Sequence, residues 1–351
     1  MGVPSPREQI EFLQKLQRLL DEGVFVASYK YALLHAIADL CITRGDDSGD
    51  ELELSTREIA ERFIELYWRQ SVPFPGGERF DVLKQNTGRQ AAVVRELHET
   101  RSQYGERLAR LKDESDEWSR ILRSVDRRVR DMPLWRLQTV GQEEVEFLYE
   151  NEGRGKSIVL RPGVAYCFRA FYPLVLDLIE GAWSHYVRRQ NQDLLGTSTD
   201  LRSFLFGSDR TALARYRPVL EEVQDDVCLY CRDRLGSRKT DLDHFIPWRR
   251  YPTDLGHNFV LVHATCNSRK GDRLAAVPHL RRWRDRNVEK GRALARGFDE
   301  LGVAHDLEAS WSVARWAYRQ VESTGGQVWV EGSRLEHLSG EWVRVLGADS
   351  G

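Results

Sequence analysis

"CLYCRDRLGSRKTDLDHFIPW", residues 228–248, is the stretch on which the reading of this chain turns. A Cys-x-x-Cys pair, Cys228 and Cys231, stands a short way ahead of the adjacent Asp243 and His244. Further on, "VHATCN" supplies a second pair, His263-x-x-Cys266. Two such pairs of sulfur and nitrogen ligands suit tetrahedral zinc, whose closed four-ligand sites are structural. The chain has only five cysteines, and the other two, Cys41 and Cys167, lie alone in apolar helical patterns. A secreted disulfide framework would need more cysteines on a shorter chain, so the pattern points to metal binding in a reducing compartment.

Between the two pairs lie "TDLDHFIPW" and "GHNFVLVH", which read as short strands, and "ATCNSRKGDRL" then opens a helix. This order resembles the HNH endonuclease family. Its ββα-metal core carries Asp-His on the first strand and a middle Asn opening the second. A third position follows the last knuckle cysteine directly. Asp243-His244, Asn258 and Asn267 occupy these places, and Lys270 stands at the family's usual basic position on the helix. The resemblance spans residues 226–275. It departs from the commonest pattern twice, with Asn267 for the final His and His263 for a knuckle Cys. His263 does not fit as the final His, because it precedes Cys266 by three residues.

The resemblance implies a metal-dependent nuclease acting on DNA, with a role in bacterial restriction or phage defence. His244 is then the general base, because an imidazole titrates close to neutral pH. Its proton must be held on the nitrogen facing away from the water, by a partner the sequence does not reveal. Asp243 and Asn267 are the expected oxygen ligands of a catalytic Mg²⁺ or Mn²⁺, and Asn258 supports the loop that carries the histidine. Cys228, Cys231, His263 and Cys266 are the expected ligands of a structural Zn²⁺. Neighbours on a regular strand face opposite ways, so the strand must bend or end at His244 for both residues to serve one site. Pro247 is consistent with an early end.

With a net charge of −2, the chain as a whole is not a polycation. From residue 226 to 290, however, 14 Lys and Arg face 8 Asp and Glu, a local basic excess. Arg249, Arg250, Arg269, Lys270 and Arg273 are the expected phosphate contacts, with Arg281, Arg282, Arg284 and Arg286 as further candidates. Two other functions fit less well. A non-catalytic zinc-stabilised nucleic-acid-binding module would need neither Asp243, His244 nor Asn267 as a set. A nuclease acting on RNA would use the same residues, but no RNA-recognition module is visible. His257 reads as a loop histidine and His35 as a core one.

The remaining chain reads as mostly helix. "SPREQIEFLQ" and "STREIAERF" each open with a capping box, Ser5 to Glu8 and Ser55 to Glu58. "YKYALLHAIADLCI" is apolar nearly all round and reads as a central core helix. Residues 88–131 carry 11 basic and 9 acidic side chains at helical spacing, the pattern of solvated helix faces with i,i+4 pairs. Alternation in "EVEFLYENEGRGKSIVLRPG" suggests a β-hairpin near 144–161 that turns at Gly153 to Gly155. Its "GKS" is no phosphate loop, because Glu150 stands where a Gly is required.

The expected fold is mainly α with a small α+β module. Residues 1–200 form a mostly helical domain for recognition, regulation, oligomerisation or contact with a partner protein, and 201–225 are connecting helices. Residues 226–280 form the zinc-knuckle nuclease domain, and 281–351 a helical C-terminal extension ending near the strand "QVWVEG". The start of the chain lacks a basic-then-apolar leader, and the most apolar run, "VAYCFRAFYPLVLDLIEGAW", is broken by Arg169, Pro173, Asp177 and Glu180. The expectation is a cytoplasmic protein with no membrane span.

Overall fold

The computed structural model describes residues 2–23, 25–75, 81–105, 107–151, 155–195, 200–207 and 213–347. Two compact units divide the chain, Met1–Gly207 and Ser208–Gly351. The chain is mainly α with small two-stranded sheets, as the sequence suggests. Among the described residues no helix is long and apolar enough to cross a membrane.

In the first unit, α1 (Pro6–Glu22) and α3 (Thr56–Gln70) both begin with the expected capping boxes, in which Ser5 and Ser55 exchange hydrogen bonds with Glu8 and Glu58. Between them α2 (Tyr29–Arg44) is buried along most of its length and packs on α3, α7 (Pro133–Arg136), α8 (Val164–Ala170) and α9 (Tyr172–Gln190). Its C-terminal carbonyls need partners once water is excluded. The buried Arg169 supplies them, donating to the carbonyls of Cys41, Ile42 and Gly45 while pairing with Asp47 at 2.7 Å. The charge-rich segment forms α4 (Ala92–Tyr104), α5 (Leu108–Asp113) and α6 (Ser115–Asp131). Ile121, Leu122, Val125 and Val129 turn inward from α6, the Arg120–Glu117 pair lies toward solvent, and Asp126, paired with Arg130, accepts from the buried Thr56 hydroxyl. The unit closes with α10 (Leu201–Phe206).

The expected hairpin near 144–161 takes a different form. Only Ser157–Leu160 (β4) is a strand of the normal length, and it pairs antiparallel with β1 (Leu52–Ser55). Residues 148–149 run beside it through a bridge from Tyr149 to Leu160 and a hydrogen bond from Arg161 N–H to the Leu148 carbonyl. A side chain replaces the rest of the ladder. The buried Gln138 accepts from Phe147 N and Leu148 N at 2.8 and 2.7 Å and donates to the Tyr149 carbonyl at 2.8 Å. The chain before it makes the short pair β2 (Thr139–Val140) and β3 (Glu143–Glu144). Residues 152–154 of the expected turn lie outside the described residues.

The second unit contains α11 (Arg217–Val223), β5 (Thr240–His244), β6 (Phe259–His263), α12 (Ala264–Lys270), α13 (Val277–Leu301), α14 (Leu307–Ser323), β7 (Gln327–Glu331), β8 (Arg334–His337) and α15 (Glu341–Leu346). β5 and β6 pair antiparallel, with Asp243 opposite Val260 and His244 opposite Phe259. The outer edge of β6 would leave backbone groups open. Gln224 covers it, its amide accepting from Leu261 N and donating to Leu261 O, both at 2.9 Å. Behind the sheet α13 provides the core: the fully buried Trp283 stacks on Phe245 with ring centroids 4.9 Å apart. The C-terminal hairpin of β7 and β8 joins the same unit, since Trp329 exchanges backbone hydrogen bonds with Leu274 and Ala276. Residues 226–280 and the extension that follows therefore share one compact body.

Candidate active site and metal centre

Cys228, Cys231, His263 and Cys266 converge, their ligand atoms all within 4.8 Å of one another. Local structure explains the convergence. The first pair sits on a tight turn closed by Arg232 N–H to the Cys228 carbonyl. β6 ends at His263 and α12 begins one residue later, which brings Cys266 round within its first turn. His263 Nε2–H donates to the Arg234 carbonyl at 3.1 Å, which leaves the Nδ1 lone pair facing the sulfurs, 3.3 Å from Cys231 Sγ. That outer hydrogen bond is how metal-binding imidazoles are held in one tautomer. Burial and neighbouring sulfurs push the Cys231 and Cys266 thiols up, to about 12 for Cys266. A dication favours the thiolate and would reverse this effect. Three sulfurs and one correctly presented imidazole nitrogen fit zinc.

Beside this centre β5 carries two carboxylates on one face, Asp241 and Asp243, two residues apart. α12 covers that face with Asn267 and Lys270, neighbours at i,i+3. Asn267 Nδ2 donates to Asp241 Oδ2 at 3.1 Å, so its own carbonyl oxygen points elsewhere and remains an acceptor. Asp243 is nearly buried; its Oδ2 lies 2.9 Å from Lys270 Nζ and accepts from the Tyr230 hydroxyl at 2.6 Å.

β5 ends at His244, as the site requires, and the two adjacent side chains take different partners. His244 Nε2–H donates to Asp254 Oδ1 at 2.9 Å, and its ring packs on Phe259 and Trp248. Lys270 Nζ ties the two residues together, donating to the His244 carbonyl at 3.1 Å while it pairs with Asp243. Asn258 holds the following loop from within: its Oδ1 accepts from Ile246 N at 2.8 Å and its Nδ2 donates to Ile246 O at 3.0 Å.

Residues 228–276 match the family model for HNH endonuclease. No curated protein and no solved structure matched the chain. The family consists generally of nucleases that act on nucleic acid with a divalent metal. This stretch is the HNH module of the chain.

The basic residues of the second unit divide by burial. Arg249, Arg269 and Arg273 are exposed, and Arg249 makes only a loose pair with Asp272 at 3.8 Å. Lys270 is corrected as a phosphate contact: it is fully buried and spent on Asp243 and the His244 carbonyl. Arg250 is half-buried, and its Nε is buried without a hydrogen-bond partner among the described residues. Arg286 is likewise internal, donating to the carbonyls of Phe259 and His257 at 2.6 and 2.7 Å. Burial pulls it down to about 9, which still leaves it a cation at neutral pH. Arg282 reaches back to the Tyr230 carbonyl at 2.5 Å, bracing the knuckle, whereas Arg281 and Arg284 are exposed.

His257 is buried against Phe298 and His305, with its Nε2–H toward the Gly291 carbonyl. His35 faces Glu180 in the first unit at 3.5 Å. Three residues of the site were missed in the sequence: Asp254, Asp241 and Tyr230. Asp254 lies in an irregular loop and carries no spacing signal. Asp241 could have been found from its position two residues before Asp243 on the same strand face.

Proposed function

We propose that the HNH module hydrolyses phosphodiester bonds in DNA, with His244 as general base. The observation that carries this reading is the His244–Asp254 pair. An acceptor on Nε2 keeps the proton there and leaves Nδ1 as the basic nitrogen, the arrangement a general base needs before it meets a water. His244 Nδ1 takes the proton of the attacking water, and Asp254 steadies the imidazolium that forms. Asp243 and the free carbonyl oxygen of Asn267 would hold a divalent cation, with Asp241 as a second carboxylate at its edge. A divalent cation held there would supply electrostatic stabilisation of the charge that develops on the phosphate and the leaving oxygen. Asn258 positions the backbone after His244 and touches no reacting atom. Arg249, Arg269 and Arg273 contact flanking phosphates. The helical first unit governs when or where cleavage occurs, and defence against incoming DNA is the setting this build suits.

The test is plasmid cleavage by the wild-type protein and His244→Ala, each with Mg²⁺ or Mn²⁺, after both are shown to be folded and to hold equal zinc. Loss of cleavage in the variant is expected. Equal cleavage by both would remove His244 from the role of base. A parallel incubation with RNA of matched length is expected to give slower cleavage, and faster RNA cleavage would reassign the substrate.

A further inference from the structure

Tyr230 lies between two of the four zinc ligands, in the sequence Cys228-Leu229-Tyr230-Cys231, and is fully buried. Its ring is held by Trp329 and His279, with centroids 5.2 and 5.4 Å away in edge-to-face contacts. Its hydroxyl donates to Asp243 Oδ2 at 2.6 Å. The same oxygen takes Lys270 Nζ at 2.9 Å. A carboxylate oxygen offers two lone-pair positions, so Oδ2 is filled. No hydrogen bond reaches Asp243 Oδ1 among the described residues. Lys270 cannot swing away to solvent, because it is fully buried, donates also to the His244 carbonyl, and lies 5.9 Å from the Tyr230 ring.

We propose that Tyr230 is a positioning residue that, with Lys270, reserves Oδ2 of Asp243, so that this carboxylate meets a catalytic divalent cation through Oδ1 alone. The inference rests on the assignment of Asp243 as a ligand in the proposed function. It also joins two sites that the sequence keeps apart, because the residue steering the catalytic carboxylate is mounted on the zinc knuckle. With the hydroxyl gone, Oδ2 keeps only Lys270, and a carboxylate held at one point can rotate about it and turn Oδ1 away from the cation. Outer-sphere partners of this kind typically change metal affinity or activity by about 10- to 100-fold when removed.

Tyr230→Phe deletes the hydroxyl and keeps the ring with its aromatic contacts. Zinc content, thermal midpoint and Mn²⁺ binding would be measured for the intact zinc-loaded protein, with Mn²⁺ alone titrated by electron paramagnetic resonance and Asp243→Asn as the reference for a lost ligand. Full zinc and Mn²⁺ binding weakened about 10-fold are expected. The Mn²⁺ concentration for half-maximal plasmid cleavage should rise by a similar factor, with kcat restored at saturating Mn²⁺. A purely structural role would lower kcat at every Mn²⁺ concentration without moving that midpoint. An unchanged Mn²⁺ midpoint with zinc retained would overturn the proposal, as would a wild-type protein that takes up no Mn²⁺. A shifted Mn²⁺ midpoint in a protein that cleaves nothing would uphold the positioning and reject the nuclease reading.

Discussion

Replacing Asn258 by alanine removes both hydrogen bonds that hold Ile246, at 2.8 and 3.0 Å. Asn258 is 2% exposed and Ile246 0%, so water cannot substitute without opening the loop. Each buried backbone group left without a partner costs about 1–3 kcal/mol, and the two together about 2–6 kcal/mol. That is a large fraction of the roughly 5–15 kcal/mol by which a domain is ordinarily stable. Asn258→Asp separates the two bonds. The carboxylate still accepts from Ile246 N, but it faces the Ile246 carbonyl with a buried negative charge, so this variant should be no more stable than alanine. The assay is urea unfolding of the zinc-loaded protein, followed by zinc release to a chromogenic chelator so that the signal reports the second unit. A loss below about 1 kcal/mol for alanine, or wild-type stability for aspartate, would refute the clamp.

Other consequences can be checked alongside it. Asp254→Ala should lower kcat about 10- to 150-fold, the value of a hydrogen bond to a charged group (about 1.5–3 kcal/mol), with zinc content unchanged; cleavage within twofold of wild type would reduce the pair to packing. Chelating the zinc should abolish the thermal transition of the second unit and leave that of the first, since structural zinc contributes directly to folding; a full-size second transition without metal would show that the knuckles are dispensable. Burial lowers His257 from 6.5 to about 4, so the unfolded chain binds the extra proton first as pH falls. Its neutral form therefore contributes stability at neutral pH that is lost progressively between about pH 6.5 and about pH 4, up to about 3 kcal/mol. His257→Leu should be less stable at neutral pH yet show a shallower acid decline than wild type, and an unchanged slope would contradict the burial effect.

What was legible in the sequence is what local spacing encodes. The capping boxes of Ser5 and Ser55 formed as read, because a cap needs only a side chain three residues away. Cys228, Cys231, His263 and Cys266 were legible because ligand pairs must lie on one turn or one strand–helix junction. The direction in which a charge points was not. Lys270 and Arg286 read as surface cations, yet both are buried on carbonyls and carboxylates brought in from distant parts of the chain. Asp254 was hidden for a related reason: its partner is ten residues away across an irregular loop, where no periodicity connects the two. The hairpin near 144–161 is present only as a short antiparallel contact of 148–149 with 160–161, and Gln138 supplies with a side chain the hydrogen bonds that alternation assigns to a strand.

One carbonyl has a larger consequence. The His257 oxygen accepts from Trp283 Nε1, Arg286 Nη2 and Asn287 Nδ2, at 2.9, 2.7 and 3.1 Å, and all three donors belong to α13. The peptide that leads into Asn258 is thus anchored by a helix lying wholly beyond residue 276, where the family match stops. The segment that carries every expected ligand is therefore not portable. Grafted into another scaffold as residues 228–276, it would bring its sulfurs, imidazoles and carboxylates, but would leave behind the buttress that keeps its second strand in register with the first.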